Sequence, residues 1–231
     1  MIERCLRKED AILHVLSFTF ITVDAPRAMD EMLTRAADEK RAPRVLAMRA
    51  SFEARTGSFS PRDSFFEPRS AAFWDDALTS GGFGREILPD LSAEAAALVE
   101  PFARAHRGLF RVEPEDDRFL VVDEWSGAEF VVEPFGAGLR DALDRVSGLV
   151  DGRVVGVPPS HLGAEKIVLL PGAVFHAADA IDPMRALLPE ARARKLETQT
   201  VLDALLRMDH ALRALSRVKP AFAYRKEALP K

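Results

Sequence analysis

The chain has 231 residues, 48% hydrophobic and 29% charged, with a net charge of −4 and no low-complexity segment or internal repeat. These fractions fit a folded protein able to bury a core without staples, and the small net charge by itself names no partner. Cys5 is the only cysteine, which excludes an internal disulfide and a cysteine-built zinc site and fits a reducing, cytoplasmic setting. Arginine outnumbers lysine, a coding bias of GC-rich bacterial genomes that carries no function.

Residues 1–25 read as an N-terminal extension. The apolar run 11–23 contains His14, Ser17, Thr19 and Thr22, too short and too polar for a membrane span, which needs roughly 20 apolar residues. The mixture of Glu3, Glu9 and Asp10 with Arg4, Arg7 and Lys8 is not the cleanly positive start of a secretory signal.

Residues 26–107 read as a helical region. Asp24 and Pro26 open a helix, and Met29, Met32, Leu33 and Ala36 form its apolar face to about Lys40. Pro43 is expected to break it. A second helix, 44–55, carries Val45, Met48 and Phe52 on one side and closes at Gly57. Next comes the densest aromatic stretch, with Phe59, Phe65, Phe66, Phe73 and Trp74 among Arg55, Arg62 and Arg69. Ser60-Pro61-Arg62-Asp63 predicts a helix start there. Ser92 predicts a further helix to about His106, stopped by Gly108.

Residues 108–176 form the β module around which the chain is organised. Strands are predicted at 109–113, 118–123 and 128–133, joined by a polar link 114–117 and by 124–127, which ends in Gly127. A helix at 139–146 and strands at 153–157 and 166–170 complete it. Short links favour antiparallel hairpins, so the expectation is a curled antiparallel five-stranded sheet or a small open barrel. The fold class is α+β, with a helical N-terminal half and C-terminal helices packing back.

Residues 177–231 read as a C-terminal helical region with a basic tail. A short helix starts at Asp182-Pro183 and is expected to stop at Pro189, and a long one spans 191–216. Val201, Leu205, Met208 and Leu212 make a heptad seam about two heptads long. That seam is a candidate homodimer surface, although Leu202 and Leu206 widen it towards packing on the chain's own body.

No nucleophile elbow, phosphate loop or cofactor motif is present, so no cofactor is assigned. His176, Asp179 and Asp182 have a metal-like spacing, yet no second histidine pair supports it, and no metal is assigned. Three readings of function stay open. The first is a non-enzymatic protein-interaction or adaptor protein, using Arg62, Phe65, Phe66, Arg69 and Trp74 as anchors for an unidentified protein partner. The second is nucleic-acid binding through the C-terminus, where residues 191–231 hold ten basic against four acidic side chains. Its contacts would be Arg217, Lys219, Phe222, Tyr224, Arg225 and Lys226, which interleave charge and aromatics. The third is an enzyme or small-ligand binder with polar groups such as His106, Asp123 or His176 converging in a cleft.

Overall fold

The computed structural model describes residues 24–158, 166–214 and 218–231. The predicted residues 1–23 of the extension, and Arg217 of the tail, lie outside them. Among the described residues, no helix is long and apolar enough to cross a membrane.

Helix α1 (Ala25–Ala36) opens as its sequence demands. Asp24 accepts from the Arg27 backbone N–H at 3.3 Å, Pro26 sits in the first turn, and Ala28, Met29, Met32 and Ala36 are buried. Pro43 does not break a helix. It lies in the first turn of α2 (Ala42–Thr56), where its missing N–H costs nothing. Gly57 ends α2 with φ +98°, and a Cβ there would stand 2.7 Å from the His210 ring, so both backbone and space require glycine. The helix start expected at Ser60 is a turn instead. Asp63 accepts from the Ser60 N–H at 2.6 Å and from its hydroxyl at 3.1 Å, and α3 begins only at Phe66, running to Leu78.

Short helices α4 (Phe83–Ile87), α5 (Ala93–Ala96) and α6 (Val99–Ala103) follow. The single helix expected from Ser92 is divided at Ala97, because Pro101 lacks a donor and its ring crowds the carbonyl four residues back.

The β module has six strands: β1 (His106–Glu115), β2 (Arg118–Asp123), β3 (Glu129–Pro134), β4 (Val150–Val157), β5 (Lys166–Leu169) and the short, unpredicted β6 (Val174–Phe175). Helix α7 (Ala137–Leu143) lies between β3 and β4. The order is β1-β2-β3-β5-β4-β6, and β1 also pairs with β4, so five strands close into a ring of pairings. The sheet is mixed rather than wholly antiparallel: Glu133 pairs with Val168, and Pro134 with Leu169, in parallel. The long crossover through α7 and β4 makes that possible, as a hairpin link does not. The turn glycine of the second link behaves as expected, with Gly127 at φ +73°.

Strand β1 holds the ring together by serving two neighbours. His106 to Phe110 pair with β4, and Phe110 to Glu115 pair with β2. Within it, Gly108 lies so close to its own strand's Phe110 that a Cβ would meet that ring at 2.7 Å. Phe110, Phe119, Val121, Val132, Val150, Val154 and Leu169 are buried together, with Leu139 and Leu143 of α7.

Helix α8 (Ile181–Ala193) runs through Pro189 rather than stopping there, and it ends in a capped turn with Lys195 at φ +55° and the Leu196 N–H on the Ala191 carbonyl at 3.0 Å. The long helix is therefore shorter than expected, α9 (Thr198–Ala214), and α10 (Pro220–Ala223) follows. The heptad seam faces inward: Val201, Leu205 and Met208 are buried with Leu109, Leu149 and the apolar face of α8, while Leu212 is half-buried against the same cluster. A dimer built on those three residues has no exposed stripe to use. The largest apolar cluster draws from α1–α6, from Val155, Val157 and Val168 of the ring, and from Leu206 of α9, so the three sequence regions share one core.

Because Leu205 is wholly buried, Leu205→Ala is expected to destabilise the fold by about 2–5 kcal/mol, measured by urea denaturation.

Candidate functional site

The aromatic stretch is largely structural. Phe59, Phe65 and Phe73 are buried, and Phe66 and Trp74 are half-buried against the same core. Phe52 packs edge-on to Phe59 at 6.3 Å and to Phe73 at 6.0 Å, and Phe65 meets the His210 ring at 5.4 Å. Of the five expected partner anchors, only Arg62 is exposed; Arg69 is 1% exposed. The C-terminal set is divided too. Lys219, Phe222 and Arg225 face outward, with Phe222 71% exposed. Lys226 lies 3.4 Å from Glu190, and Tyr224 turns inward to within 3.3 Å of His176 Nδ1. Burial raises the Tyr224 phenol well above its usual range, and Asp209 nearby adds to this.

Of the polar residues expected in a cleft, two meet. His106 Nε2 lies 3.2 Å from Asp123 Oδ2. Burial pushes the Asp123 carboxyl up, but His106, the Ser126 hydroxyl at 2.6 Å and the Trp125 N–H at 3.1 Å outweigh it and hold the group below the usual carboxylate range. Asp123 also accepts from the Leu109 and Ser126 N–H groups at 3.3 Å. Serine, histidine and aspartate are thus adjacent, but Ser126 donates to the aspartate and not to the imidazole. A relay needs the hydroxyl on the base, so this carboxylate is a turn anchor. His176 lies apart, 3.5 Å from Asp209, while Asp179 and Asp182 are exposed. Among the described residues, no cluster of histidine, cysteine or carboxylate side chains has the makings of a metal site.

The charged centre of the molecule lies elsewhere, between α2, α3, α9 and the ring. Arg107 grips both oxygens of Asp151 at 2.9 Å and reaches Asp203 at 2.6 Å. Asp203 holds Arg55 at 2.8 Å, Arg55 holds Asp76 at 2.7 Å, and Asp76 holds Arg153 at 2.6 Å. Three arginines therefore balance three aspartates. Asp75, fully enclosed next to them, is a fourth carboxylate. Its Oδ2 accepts from the Gly172 N–H at 2.8 Å and its Oδ1 has no partner. Burial pushes its pKa up to about 7, against the pull of Arg153 and Gly172. A guanidinium does not give up its proton at that pH, so the surplus carboxylate is the group that titrates, and the cluster is neutral only below about pH 7.

Two of the recesses formed by the described residues bear on binding. The wider, about 260 Å³, lies among residues 24–26, 133–136, 157–158, 166 and 168. Its charged groups do not converge, since Lys166 and Glu133 already pair at 3.0 Å. The narrower, about 130 Å³, is lined by Phe65, Pro68, Arg69, Val174, Phe175, Asp209 and Arg213. It joins the aromatic stretch to α9, with His176 and Tyr224 bonded behind Asp209.

Asp75 sets a pH dependence. Its folded pKa lies above the unfolded value of 3.8, so its contribution is full below about pH 4 and is lost as pH rises through about 7. Asp75→Asn keeps an acceptor for Gly172 and removes the ionisation. The variant is expected to match wild type near pH 4 and to exceed its stability by roughly 3–4 kcal/mol above pH 8, read from urea melts across pH. Comparison with family models, characterised proteins and solved structures found no match to this chain.

Proposed function

We propose that this chain is a non-enzymatic protein-interaction module, cytoplasmic, whose docking surface is the outer face of β1–β3 and whose partner presents a basic segment studded with apolar side chains. The aromatic stretch is too enclosed to be that surface. The observation that carries the reading is a pair of rows on the sheet. Glu113, Leu120 and Val131 stand in one register, and Arg111, Val122 and Glu129 in the next. Leu120, Val122 and Val131 are half-buried and belong to none of the buried clusters among the described residues. An apolar stripe with a polar rim is the usual plan of a recognition surface.

Charge chooses the occupant. Apart from the buried Arg107 and Asp123, residues 106–134 carry seven carboxylates and two arginines; Glu113, Asp117, Glu124 and Glu133 stand beside Arg111, Arg118, Arg185 and Lys166, while Glu115, Asp116 and Glu129 form no ion pair among the described residues. In strand count, closure and the helix between the third and fourth strands, the ring resembles small open barrels that present their second and third strands to oligonucleotides. The fold assigns no ligand, and a face this acidic repels a phosphate backbone and attracts lysine and arginine. The self-contained His106–Asp123–Ser126 group supports a binding role over catalysis.

The test is a titration of isotope-labelled full chain with a peptide alternating lysine and valine, followed by NMR. Amide shifts are expected on β1–β3, weakening with added salt. Leu120→Asp and Val131→Asp should each cost no more than about 1 kcal/mol of stability and reduce binding by about tenfold or more. Shifts confined to other elements, or saturation of this face by a single-stranded oligonucleotide instead of the peptide, would sink the reading.

A further inference from the structure

Asp75 is enclosed, yet the turn between β5 and β6 is what covers one of its oxygens. Oδ2 accepts from the Gly172 N–H at 2.8 Å. A Cβ on Gly172 would stand 2.5 Å from that same oxygen and 2.5 Å from the Ala71 carbonyl, so the bare backbone of the turn lies flat on α3. Pro171, one residue earlier, is exposed. The chain thus passes from solvent to the buried carboxylate within a single step.

Little else ties this turn down. β6 is two residues long and makes two pairings, Val150 with Phe175 and Asp151 with Val174. The Leu170 N–H on the Arg153 carbonyl and the His176 N–H on the Leu149 carbonyl, both at 2.9 Å, mark its two ends. Arg213 adds a bond to the Phe175 carbonyl at 2.9 Å. Within residues 171–174 the bond from Asp75 is the one side-chain hydrogen bond among the described residues. Short segments with few such ties open locally while the rest of a fold stays closed.

The surroundings of Asp75 leave its charge unmatched. Arg153 of β4 and Asp76 of α3 act on it most directly, and they already bond each other at 2.6 Å. Arg55 of α2, Arg107 of β1, Asp151 of β4 and Asp203 of α9 complete the balanced chain beyond them. The charges of α4 and α6 pair at the surface, Glu86 with Arg44 and Arg85 with Glu100. The turn itself has no titratable side chain, and His176 beyond β6 faces Asp209 and Tyr224. An ionised Asp75 is therefore a surplus buried anion whose Oδ1 has no partner among the described residues. Either a proton or water relieves it. Water enters with least disruption by way of the turn, because the other walls are α3 and the ion-pair chain. We propose that residues 171–175 form a proton-latched flap, shut over Asp75 while that carboxyl is protonated and opening locally to water when it ionises.

Acid shuts the flap and base eases it. An open flap hydrates the carboxyl and returns it towards 3.8, against about 7 when shut. Opening is therefore expected to rise about tenfold per pH unit between those values and to level off above them. The experiment follows amide hydrogen exchange in the ¹⁵N-labelled full chain from about pH 4.5 to about pH 8.5. Gly172 is compared with Phe110 and Leu205, both 0% exposed in the core. The expected result is a Gly172 protection factor below that of the core amides at every pH, falling about tenfold per unit to about pH 6.5 and flat above about pH 7.5. Asp75→Asn should abolish the slope and hold Gly172 at its acid value. Should that variant fail to fold, the Asp75 carboxyl ¹³C resonance of wild type replaces it, and its titration midpoint should fall where the protection levels off. Protection at Gly172 equal to that of the core throughout overturns the flap, because only global unfolding then reaches the carboxyl. A Gly172 slope of zero, one that Asp75→Asn leaves unchanged, or a carboxyl midpoint away from the levelling-off overturns the latch.

Discussion

Five buried charges and one half-exposed arginine constrain how this molecule is assembled. Arg55, Asp76, Arg153, Arg107, Asp151 and Asp203 come from α2, α3, β4, β1 and α9, and the whole set is paired only when all five elements are in place. Removing one partner from such a chain strands a charge in a low-dielectric interior, at a cost of several kcal/mol. Net stability is not what the pairs chiefly supply, because desolvation consumes much of the Coulomb gain. What they supply is discrimination: an arrangement with a helix rotated or a strand displaced buries an unpaired ion. The same constraint explains the unusual state of Asp75, the one acid beyond an exact balance.

The proposed docking face stands outside this centre, since none of its six residues takes part in the ion-pair chain. On the outer face of β1–β3 Leu109 is covered by α8 and α9, while Leu120, Val122 and Val131 further along belong to none of the buried clusters. The narrower recess lies on the helical side, where α3 and α9 meet β6. The docking face and that recess share no lining residue.

Local features were legible in the sequence where local chemistry decides them. Asp24 and Pro26 start α1, Gly127 makes its turn, and the alternation of Phe119 to Val132 places two strands. The prolines were harder, because the same residue opens α2 at Pro43, sits inside α8 at Pro189 and divides a helix at Pro101. Its effect depends on which carbonyl lies four residues back and whether packing compensates. The aromatic stretch has the composition of a binding surface and the burial of a core, and composition does not distinguish them. The ion-pair chain left no pattern at all. Arg55 and Asp203 are 148 residues apart, and Arg107 and Asp203 are 96, so no window along the chain holds both partners. Arg69 reads in sequence as a partner anchor, and only the structure, with Nη2 on the carbonyls of Thr56 and Leu206, shows it enclosed.

The closure of the ring also has a temporal side. β1, β2 and β3 are joined by tight links, whereas the first half of β1 pairs with β4 and the open side of β3 pairs with β5, both distant in sequence. Pairings between distant parts of a chain form slowly, since the intervening loop must be ordered before the contacts reward it. During synthesis the three-stranded piece therefore presents two unsatisfied strand edges, the kind of backbone that recruits a neighbouring chain. The carboxylates crowded on and around that piece lend it like-charge repulsion towards copies of itself during the interval.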